Sequence, residues 1–496
     1  MRKLMLIVSI VSLVGCTIKP EVASEQEVTE IVEKQKQWIL TTRLNITKPL
    51  TLSDVIVLAL KNNLELEQAR YRVLVNQTTL DNTLYSYLPK SNSAFNRSVR
   101  NNDGGASDVL PPARDRNTVT SSISWSSLDL GQAYLQAKQS GNDLLIKQLQ
   151  QKKVISRIVR EVISDYLALA MIEHEIIKAR TIEQSLIISL AKARALDSRE
   201  LIDPINLLSY QEQMLSLQIQ LQELESEYLK TKQMLLTRIS APGLELQLSH
   251  KGRNTLSLSL DNITLEALEQ FALYNRSDLR ESDYKIRNAG LEIRKTWLNA
   301  LPNFSIGYTN NYDSDPNLRN NEWLQVDLNV AMKVIELIAL PAQINELKKK
   351  EQLEKLSSLA FAVTVLGQVR EANISFLSDK SRLGLERKRE QLQHEIVTLK
   401  QQRVAYDLMD ELDSFKSEVN AVIASVRRGQ AYSNYQSSIL KLLEQAGVDL
   451  FPSHATLASG EELQQSVDVW LKSLPSTIES LLHHKVQYTA LSAELS

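Results

Sequence analysis

Residues 51–89 read TLSDVIVLALKNNLELEQARYRVLVNQTTLDNTLYSYLP, and residues 264–302 read TLEALEQFALYNRSDLRESDYKIRNAGLEIRKTWLNALP. The two stretches align without a gap, and ten of the 39 aligned positions are identical. This agreement is well above the level expected by chance. We therefore interpret the chain as an internal duplication, a feature that decides the fold before any single element is assigned.

Each copy opens with a predicted helix. Thr51 and Thr264 are suited to cap its start, and Asp54 completes a partial capping box in the first copy only. Pro89 and Pro302 predict that the helix ends before them, because a proline ring disfavours helical geometry at the preceding residue.

After each proline the apolar period changes from that of a helix to that of a strand. Alternation over residues 303–312, 323–330 and 118–125 predicts three strands, with turns at 313–321 and in the polar segment 101–116. A fourth strand near 91–100 is weaker, since only Phe95 and Val99 are large and apolar and Arg97 shares their face. Two ordinary soluble hairpins remain an alternative for these strands alone.

Each copy then continues into a long predicted helix and a return helix. The first runs from Gly131 to about residue 196, and its apolar residues step by four and three as in a coiled-coil seam: Ile155, Val159, Val162, Tyr166 and Leu169. After a break at 197–204, the return helix continues the spacing with Leu217, Leu221, Leu224, Tyr228 and Leu235. In the second copy the outgoing helix is predicted over about 341–406, the break at 407–413, and the return from Phe415.

The amino terminus resembles that of a bacterial lipoprotein. Arg2 and Lys3 precede an apolar run of about a dozen residues, too short to span a bilayer but typical of a secretory signal. The chain's single cysteine, Cys16, follows Leu-Val-Gly in the manner of a lipobox, and Thr17 favours the outer membrane over retention in the inner one. A plain signal peptide with an incidental cysteine is the alternative.

Charge and motif content exclude several classes of function. The net charge of −2 gives no basic excess for a nucleic-acid partner. No phosphate-binding glycine loop or nucleophile elbow is found, so no catalytic residue and no cofactor is predicted. Glu390 with His394, and the pair His483 and His484, are chance pairs in helices rich in charge, and no metal site is assigned to them.

Four strands cannot close a membrane barrel, because open edges in hydrocarbon leave backbone groups unpaired. Single-chain barrels need about eight strands or more. If the hairpins enter the membrane, several subunits must therefore share one barrel, and the long polar helices must project into the periplasm.

The opening motif of residues 51–66, the Leu-Pro before each first strand, and the segment from Trp125 through Asp129 to Gly131 are similar to those of the TolC-like outer-membrane efflux family. The resemblance covers residues 50–447, although the second copy lacks the Asp129-x-Gly131 motif. It implies a fold that is mainly α with a small β part, in which duplicated long helices form an α-helical coiled-coil barrel continued by a transmembrane β-barrel shared within a homotrimer. It also implies a periplasmic adaptor protein and an inner-membrane pump or ABC transporter as partners, and outer-membrane lipids around the barrel.

The same resemblance places the tunnel entrance and the adaptor contact at the tips of the two helical hairpins. Asp203, Asn206, Asp410 and Asp413 are the candidate residues. Carboxylates around a narrow pore favour cations and repel anions. Solvated turn aspartates or helix caps are the alternative for each.

The sequence therefore divides into a signal peptide (1–15), a periplasmic linker (16–49), two structural repeats (50–250 and 251–450) and a carboxy-terminal extension (451–496). The predicted function is that of a lipid-anchored outer-membrane channel subunit, which serves as the export duct of a tripartite efflux or type I secretion system. A lipid-anchored periplasmic coiled-coil scaffold without an open pore is the second hypothesis, supported by the weak strand near residue 91. An anchored hydrolase is a distant third.

Overall fold

The computed structural model describes residues 22–41, 48–102, 111–197, 204–241, 245–249, 258, 260, 263–402, 408–451 and 460–493. Helix α1 (Glu25–Thr41) precedes the duplicated region. The first copy contains α2 (Leu52–Asn62), α3 (Leu64–Tyr85), β1 (Lys90–Val99), β2 (Asp115–Ser126), α4 (Ser127–Asp197) and α5 (Pro204–Arg238). The second contains α6 (Leu265–Asn275), α7 (Ser277–Asn299), β3 (Asn303–Asp313), β4 (Glu322–Ala331), α8 (Val334–Gln402) and α9 (Leu408–Gln445), and α10 (Gly460–Ala493) follows. The order of elements occurs twice, and the prediction of a mainly helical fold with a small sheet is confirmed.

The opening helix of each copy is broken, which the sequence analysis did not predict. Asn63 ends α2 and caps α3, since its Oδ1 accepts hydrogen bonds from the backbone N–H groups of Glu65 (3.0 Å) and Leu66 (3.1 Å). Arg276 occupies the aligned position between α6 and α7 with nearly the same extended backbone, at φ −62° and ψ 123°. The break is therefore a shared feature of the duplication.

The predicted caps at the start of each copy are present. Thr51 Oγ1 accepts from the Asp54 N–H at 3.2 Å, and Asp54 Oδ2 accepts from the Thr51 N–H at 2.8 Å, which completes the capping box. Thr264 accepts only from the Ala267 N–H, at 3.3 Å. As predicted, only the first copy has the reciprocal pair.

Three helix starts differ from the prediction. Helix α4 begins at Ser127 rather than at Gly131. Helix α8 begins at Val334 and contains Pro341, where the sequence analysis placed its start. Packing explains the difference, because Leu340 and Ile344 are buried with Ala300 in a small apolar cluster that holds this part of α8 against the end of α7. Helix α9 begins at Leu408 rather than at Phe415, so its first turns occupy the predicted break.

The core lies among the long helices. Every seam residue named for α4 and α5 is buried, and Tyr166 at the centre of the α4 seam is fully buried, with its hydroxyl 3.4 Å from the carbonyl oxygen of Leu50. With 71 residues, α4 is about 100 Å long at 1.5 Å per residue. A packed seam of this length keeps the sheet and the hairpin tips far apart.

The carboxy-terminal extension contributes to the same core. Helix α10 packs against α2 and α6, the equivalent first helices of the two copies. Leu463 and Val467 are buried there, and Gln464 donates to Ser53 Oγ at 2.8 Å. Trp470 meets Phe451 edge to face, with ring centroids 5.3 Å apart. The extension thus contacts both copies where each one begins.

Candidate functional site: a two-faced sheet and its helices

The four strands form one antiparallel sheet in the order β1-β2-β3-β4, so β2 and β3 join the two copies. Directly paired residues point to the same face of a sheet. Phe95 pairs with Val119, and Val119 pairs with Tyr312, so the strands agree on which face is apolar. All four predicted strands are present, including the weak first one.

One face of the sheet carries large apolar side chains on all four strands. They are Phe95, Val99, Val119, Ile123, Trp125, Phe304, Ile306, Tyr308, Tyr312, Leu324, Val326, Leu328 and Val330. They are exposed, Leu328 by 78% and Val330 by 68%, so the described helices do not cover this face. A contiguous exposed apolar surface of this extent marks contact with a membrane or a protein.

The opposite face is polar, with Trp323 as its large apolar exception. It carries Asn92, Asn96, Ser98, Thr118, Thr120, Ser122, Ser124, Ser305, Thr309, Asn311, Gln325, Asp327 and Asn329. On β3 the polar face is the less exposed of the two. A soluble hairpin would show the reverse, because its apolar face would pack on a core. The alternative of ordinary soluble hairpins therefore does not fit the sheet.

Arg97 is the one basic residue among the apolar side chains of β1, and it has a partner. Its guanidinium donates to both carboxylate oxygens of Asp115, at 3.1 Å and 2.7 Å. A bidentate pair of this kind balances the charge locally. The feature that weakened β1 in the sequence is therefore compensated across the hairpin.

The two outer strands have open edges. Within the described residues, β1 pairs only with β2, and β4 pairs only with β3. Each edge presents unpaired N–H and C=O groups, which is a template for another strand.

The junction between sheet and helices is tightly packed. Ser126 Oγ accepts from the Asp129 N–H at 3.2 Å and donates to Asn303 Oδ1 at 2.7 Å. The same side chain therefore caps the start of α4 and hydrogen bonds to the first residue of β3. A Cβ atom on Gly131 would lie 2.6 Å from Leu298 Cδ2. Gly131 of the Asp129-x-Gly131 motif therefore lies where α4 packs against Leu298 of α7.

At the far end of the sheet, the loops of the two hairpins bind each other. Asp315 Oδ2 accepts from the Ala113 N–H at 3.2 Å, and Asn317 donates to the Pro111 carbonyl at 2.7 Å. Arg116 lies 3.2 Å from the buried carboxylate of Asp313. These contacts fix β2 against β3 at the end away from the helices.

The helices continue the arrangement of the strands. Helix α3 packs on α4, α4 on α7, and α7 on α8, in the same order as the strands to which they connect. Large exposed apolar residues lie on the two outer helices of this row: Tyr71, Leu74, Val75 and Tyr85 on α3, and Leu353, Leu356, Leu359, Val363, Ile374 and Leu377 on α8. The outer surfaces of α3 and α8 are therefore exposed and apolar at these residues, just as the outer edges of the sheet are open.

Helices α4 and α7 meet along a polar seam. Gln136 accepts from Lys295 at 2.7 Å, Gln139 donates to Glu292 at 2.7 Å, and Asn288 donates to Asp143 at 2.8 Å. Further along, Gln150 donates to Glu281 at 3.2 Å, and Lys153 donates to Asp278 at 2.7 Å. The two helices are antiparallel, so contacts further along α4 are made by residues equally far back along α7. The residue pairs of β2 and β3 follow the same numbering relationship, for example Ile123 with Tyr308.

The sequence analysis missed this seam although a signal was present. Gln132, Gln136, Gln139 and Asp143 step by four, three and four, which is the spacing of a coiled-coil seam occupied by polar residues. The seam joins the two copies.

The predicted hairpin-tip residues are only partly described. Cys16 and Asp203 lie outside the described residues. Asn206 lies in the first turn of α5, and Asp410 lies in the first turn of α9. Asp413, predicted in a break, is in α9 and exposed, and Lys400 Nζ of α8 lies 3.4 Å from its Oδ2 and 3.3 Å from its carbonyl oxygen. A cation therefore stands beside one of the proposed entrance carboxylates.

The residue pairs considered for metal binding are placed as follows. Glu390 accepts from Ser425 at 2.9 Å and lies 2.7 Å from Arg428, so an ion pair already uses its carboxylate. His483 and His484 lie in α10. The described part of the chain contains no group of three or more side chains suited to hold a metal ion. Among the same residues, no helix is both long and apolar enough to span a bilayer.

Solved structures of outer-membrane channels share this fold. The Campylobacter jejuni CmeC outer membrane channel has a TM-score of 0.63 and 15% identity, over 80% of this chain and 85% of that one. The Vibrio cholerae outer membrane protein VceC has a TM-score of 0.60 and 13% identity, over 80% and 96%. The open state of the Neisseria gonorrhoeae MtrE outer membrane channel has a TM-score of 0.60 and 13% identity, over 78% and 88%.

No protein-family model matches the sequence, and no curated protein sequence matches it. At these identities the structural comparisons establish the fold. The similarity to TolC-like outer-membrane channels that the sequence predicted is confirmed at that level.

Proposed function

We propose that the chain is one subunit of a trimeric, lipid-anchored outer-membrane duct that exports substrates from a periplasmic adaptor and an inner-membrane pump to the exterior. The observation that carries the proposal is the two-faced sheet with open edges. Its strands have 10 to 12 residues. This length is close to the roughly 9–11 residues that a tilted strand needs to cross a membrane.

The two faces of the sheet suit a barrel wall. An apolar face toward lipid and a polar face toward water is the pattern of outer-membrane barrels with aqueous interiors. One copy of the chain supplies four strands, too few to close a barrel. Three copies, each adding its β4 to the β1 of the next, would make a closed barrel of about twelve strands, within the range of such proteins.

The outer helices support the same assembly. In a trimer, α8 of one subunit would lie beside α3 of the next, which would cover the exposed apolar residues of both helices. The helices would then form a continuous wall below the barrel, about 100 Å long and closed by the hairpin tips. The predicted duct needs no catalytic residue, and we propose that the protein is not an enzyme.

The ends of the duct are assigned from the sequence. Cys16 would carry the lipid that holds the chain at the outer membrane. Asp203, Asn206, Asp410 and Asp413 would lie at the periplasmic entrance and the adaptor contact. Since Lys400 stands beside Asp413, the anionic character of this entrance would rest on Asp203 and Asp410 more than on Asp413.

Single-channel recording in planar bilayers tests the duct. The purified, lipidated protein should migrate as a heat-sensitive trimer and give discrete conductance steps. A well-folded trimer without conductance would favour the scaffold hypothesis instead, and a protein found only as monomers would exclude both the shared barrel and the duct.

Lipidation is tested separately. Radiolabelled palmitate should be incorporated into the wild-type protein and lost in Cys16→Ser, which also removes the processing site. Incorporation that persists in the variant would exclude Cys16 as the lipidated residue without bearing on the barrel.

A further inference from the structure

We infer that the trimer contact repeats, between subunits, the register that joins the two copies within one chain. Val330 of β4 then lies opposite Phe95 of the next subunit's β1, and Gln343 of α8 lies opposite Asn82 of the next subunit's α3. The inference rests on the proposed trimer and specifies which residues meet in it.

The equivalence of positions follows from the duplication. The gap-free alignment of residues 51–89 with 264–302 continues into the strands, because β1 begins at Lys90 and β3 at Asn303. Phe95 is therefore the counterpart of Tyr308. Ser91 and Phe304 are counterparts in the same way, and their partners across the hairpins are Ile123 and Val330. Ile123 and Val330 are thus equivalent as well.

The pairing of β2 with β3 within one chain predicts the pairing of β4 with β1 of the next subunit. Ile123 pairs directly with Tyr308 where the two copies meet. Replacing each residue by its counterpart places Val330 opposite Phe95 of the neighbouring subunit, and Val326 opposite its Val99. Apolar residues meet at both of these positions, and the pair between them opposes Leu328 to Arg97, whose charge is paired with Asp115. A shift by one residue would instead oppose the polar face to the apolar one, which a sheet with one apolar face does not tolerate.

The same equivalences, carried into the helices, bring polar residues together at two positions. Gln136 of α4 accepts from Lys295 of α7. Their counterparts are Gln343 of α8 and Asn82 of α3, both exposed in the single chain and both able to hydrogen bond. One turn further, Gln139 and Glu292 correspond to Glu346 and Thr79, again an exposed pair with a donor and an acceptor. At these two positions the polar pairs between the copies therefore have polar counterparts on the outer helices, whereas Asp143 and Asn288 correspond to Lys350 and Val75.

Cysteine pairs test the register in the intact, full-length protein, whose only native cysteine is Cys16. The test variant combines Phe95→Cys with Val330→Cys. Its matched control combines Ile123→Cys with Tyr308→Cys, the equivalent pair within one chain. A third variant, Phe95→Cys with Leu328→Cys, represents a register shifted by two residues. Directly opposed strand residues have Cα atoms about 4.5–5.5 Å apart, within disulfide range, whereas diagonal neighbours are about 7–8 Å apart.

After oxidation in membranes, the test variant should give disulfide-linked dimers and trimers on denaturing gels. The control should form its disulfide without any gain in mass, and the shifted variant should remain mostly monomeric on the gel. Asn82→Cys with Gln343→Cys repeats the test outside the sheet, and it covers the case that the strand variants fail to insert.

The outcomes separate the register from the trimer. A native trimer that cross-links through the shifted pair, and not through the predicted pair, would overturn the register and leave the proposed duct intact. If no pair gives intermolecular products and native mass spectrometry shows monomers, the proposed trimer itself is wrong.

Discussion

Gly429 of α9 lies so close to Met171 of α4 that a Cβ atom added to it would be 2.6 Å from the Met171 Cβ. The obstacle is the root of the side chain, so rotation of Met171 cannot relieve it. We expect Gly429→Ala to push α9 away from α4 and to lower the free energy of unfolding by about 1–3 kcal/mol, the usual cost of overpacking.

Gly384 of α8 provides the matched control, since no heavy atom lies within 4 Å of its added Cβ. In an exposed helix, Gly→Ala stabilises by up to about 1 kcal/mol through helix propensity. Thermal unfolding in detergent, followed by circular dichroism, should therefore shift in opposite directions for the two variants. Equal shifts would show that α4 and α9 are not in close contact there.

Leu328 and Asn329 are neighbours on β4 that point to opposite faces of the sheet. If the apolar face contacts lipid, Leu328→Lys should destabilise the inserted barrel by about 2–4 kcal/mol near the bilayer centre. Asn329→Lys should insert normally and make the channel less selective for cations, because its charge would face the aqueous interior.

The yield of heat-sensitive trimer in outer-membrane fractions measures the first effect, and reversal potentials under a salt gradient measure the second. The assignment of the two faces would be wrong if Asn329→Lys, rather than Leu328→Lys, abolished the trimer.

Arg97 and Asp115 share the apolar face and bind each other through two hydrogen bonds. Asp115→Asn would leave the Arg97 charge without a counter-charge beside lipid, so we expect less assembled trimer. The double variant Asp115→Asn with Arg97→Gln should recover most of it, since neither charge remains. A double variant as poorly assembled as the single one would show that the ion pair is not what supports β1.

The sequence predicted the repeated order of elements because apolar residues recur about every 3.6 residues in a helix and every second residue in a strand. The seam through Val159 and Tyr166 was predicted and is buried. The break at Asn63 was not predicted, because the apolar pattern continues through it and the cap at Asn63 acts only on backbone N–H groups. The start of α8 was placed too late, since Pro341 is a helix breaker by local rules and only packing against α7 overrides it.

In the candidate site, too, the local pattern was predicted and the contacts between distant residues were not. Alternation along each strand predicted the two faces. Strand β1 was predicted only weakly, because the Asp115 partner of Arg97 lies across the hairpin loop. The polar seam between α4 and α7 had visible spacing, but a polar stripe on a helix is ordinarily taken as solvated. Only the position of α7 shows that Gln139 is buried rather than exposed.

Lys153, Asp278 and Arg276 make the end of that seam sensitive to pH. Burial disfavours the charged form of Asp278, but hydrogen bonds from Lys153 and Arg276 outweigh it and lower the pKa of the carboxyl below its ordinary 3.8. Burial likewise opposes the charge on Lys153, yet Asp278 and Glu281 raise its pKa above 10.5. A lowered carboxyl pKa stabilises the folded state above the unfolded value and loses that effect as pH falls through the folded one.

We therefore expect these groups to make no difference to the pH dependence of stability near neutral pH. Stability should fall only below about pH 4, where the Asp278 carboxylate is protonated in the unfolded chain before it is protonated in the folded one. Lys153→Met removes one partner of Asp278, so the pKa of that carboxyl in the folded state should rise towards its unfolded value. The variant should therefore be less stable than the wild type at neutral pH, and the difference between the two should shrink as the pH falls below about 4. Lys152→Met is the matched control, because Lys152 forms a more exposed pair with Asp449 at 3.1 Å and exposed pairs contribute little. Unfolding midpoints in urea between pH 3 and 7 measure the difference, and coincident pH profiles for Lys153→Met and the wild type would show that the seam does not depend on this pair.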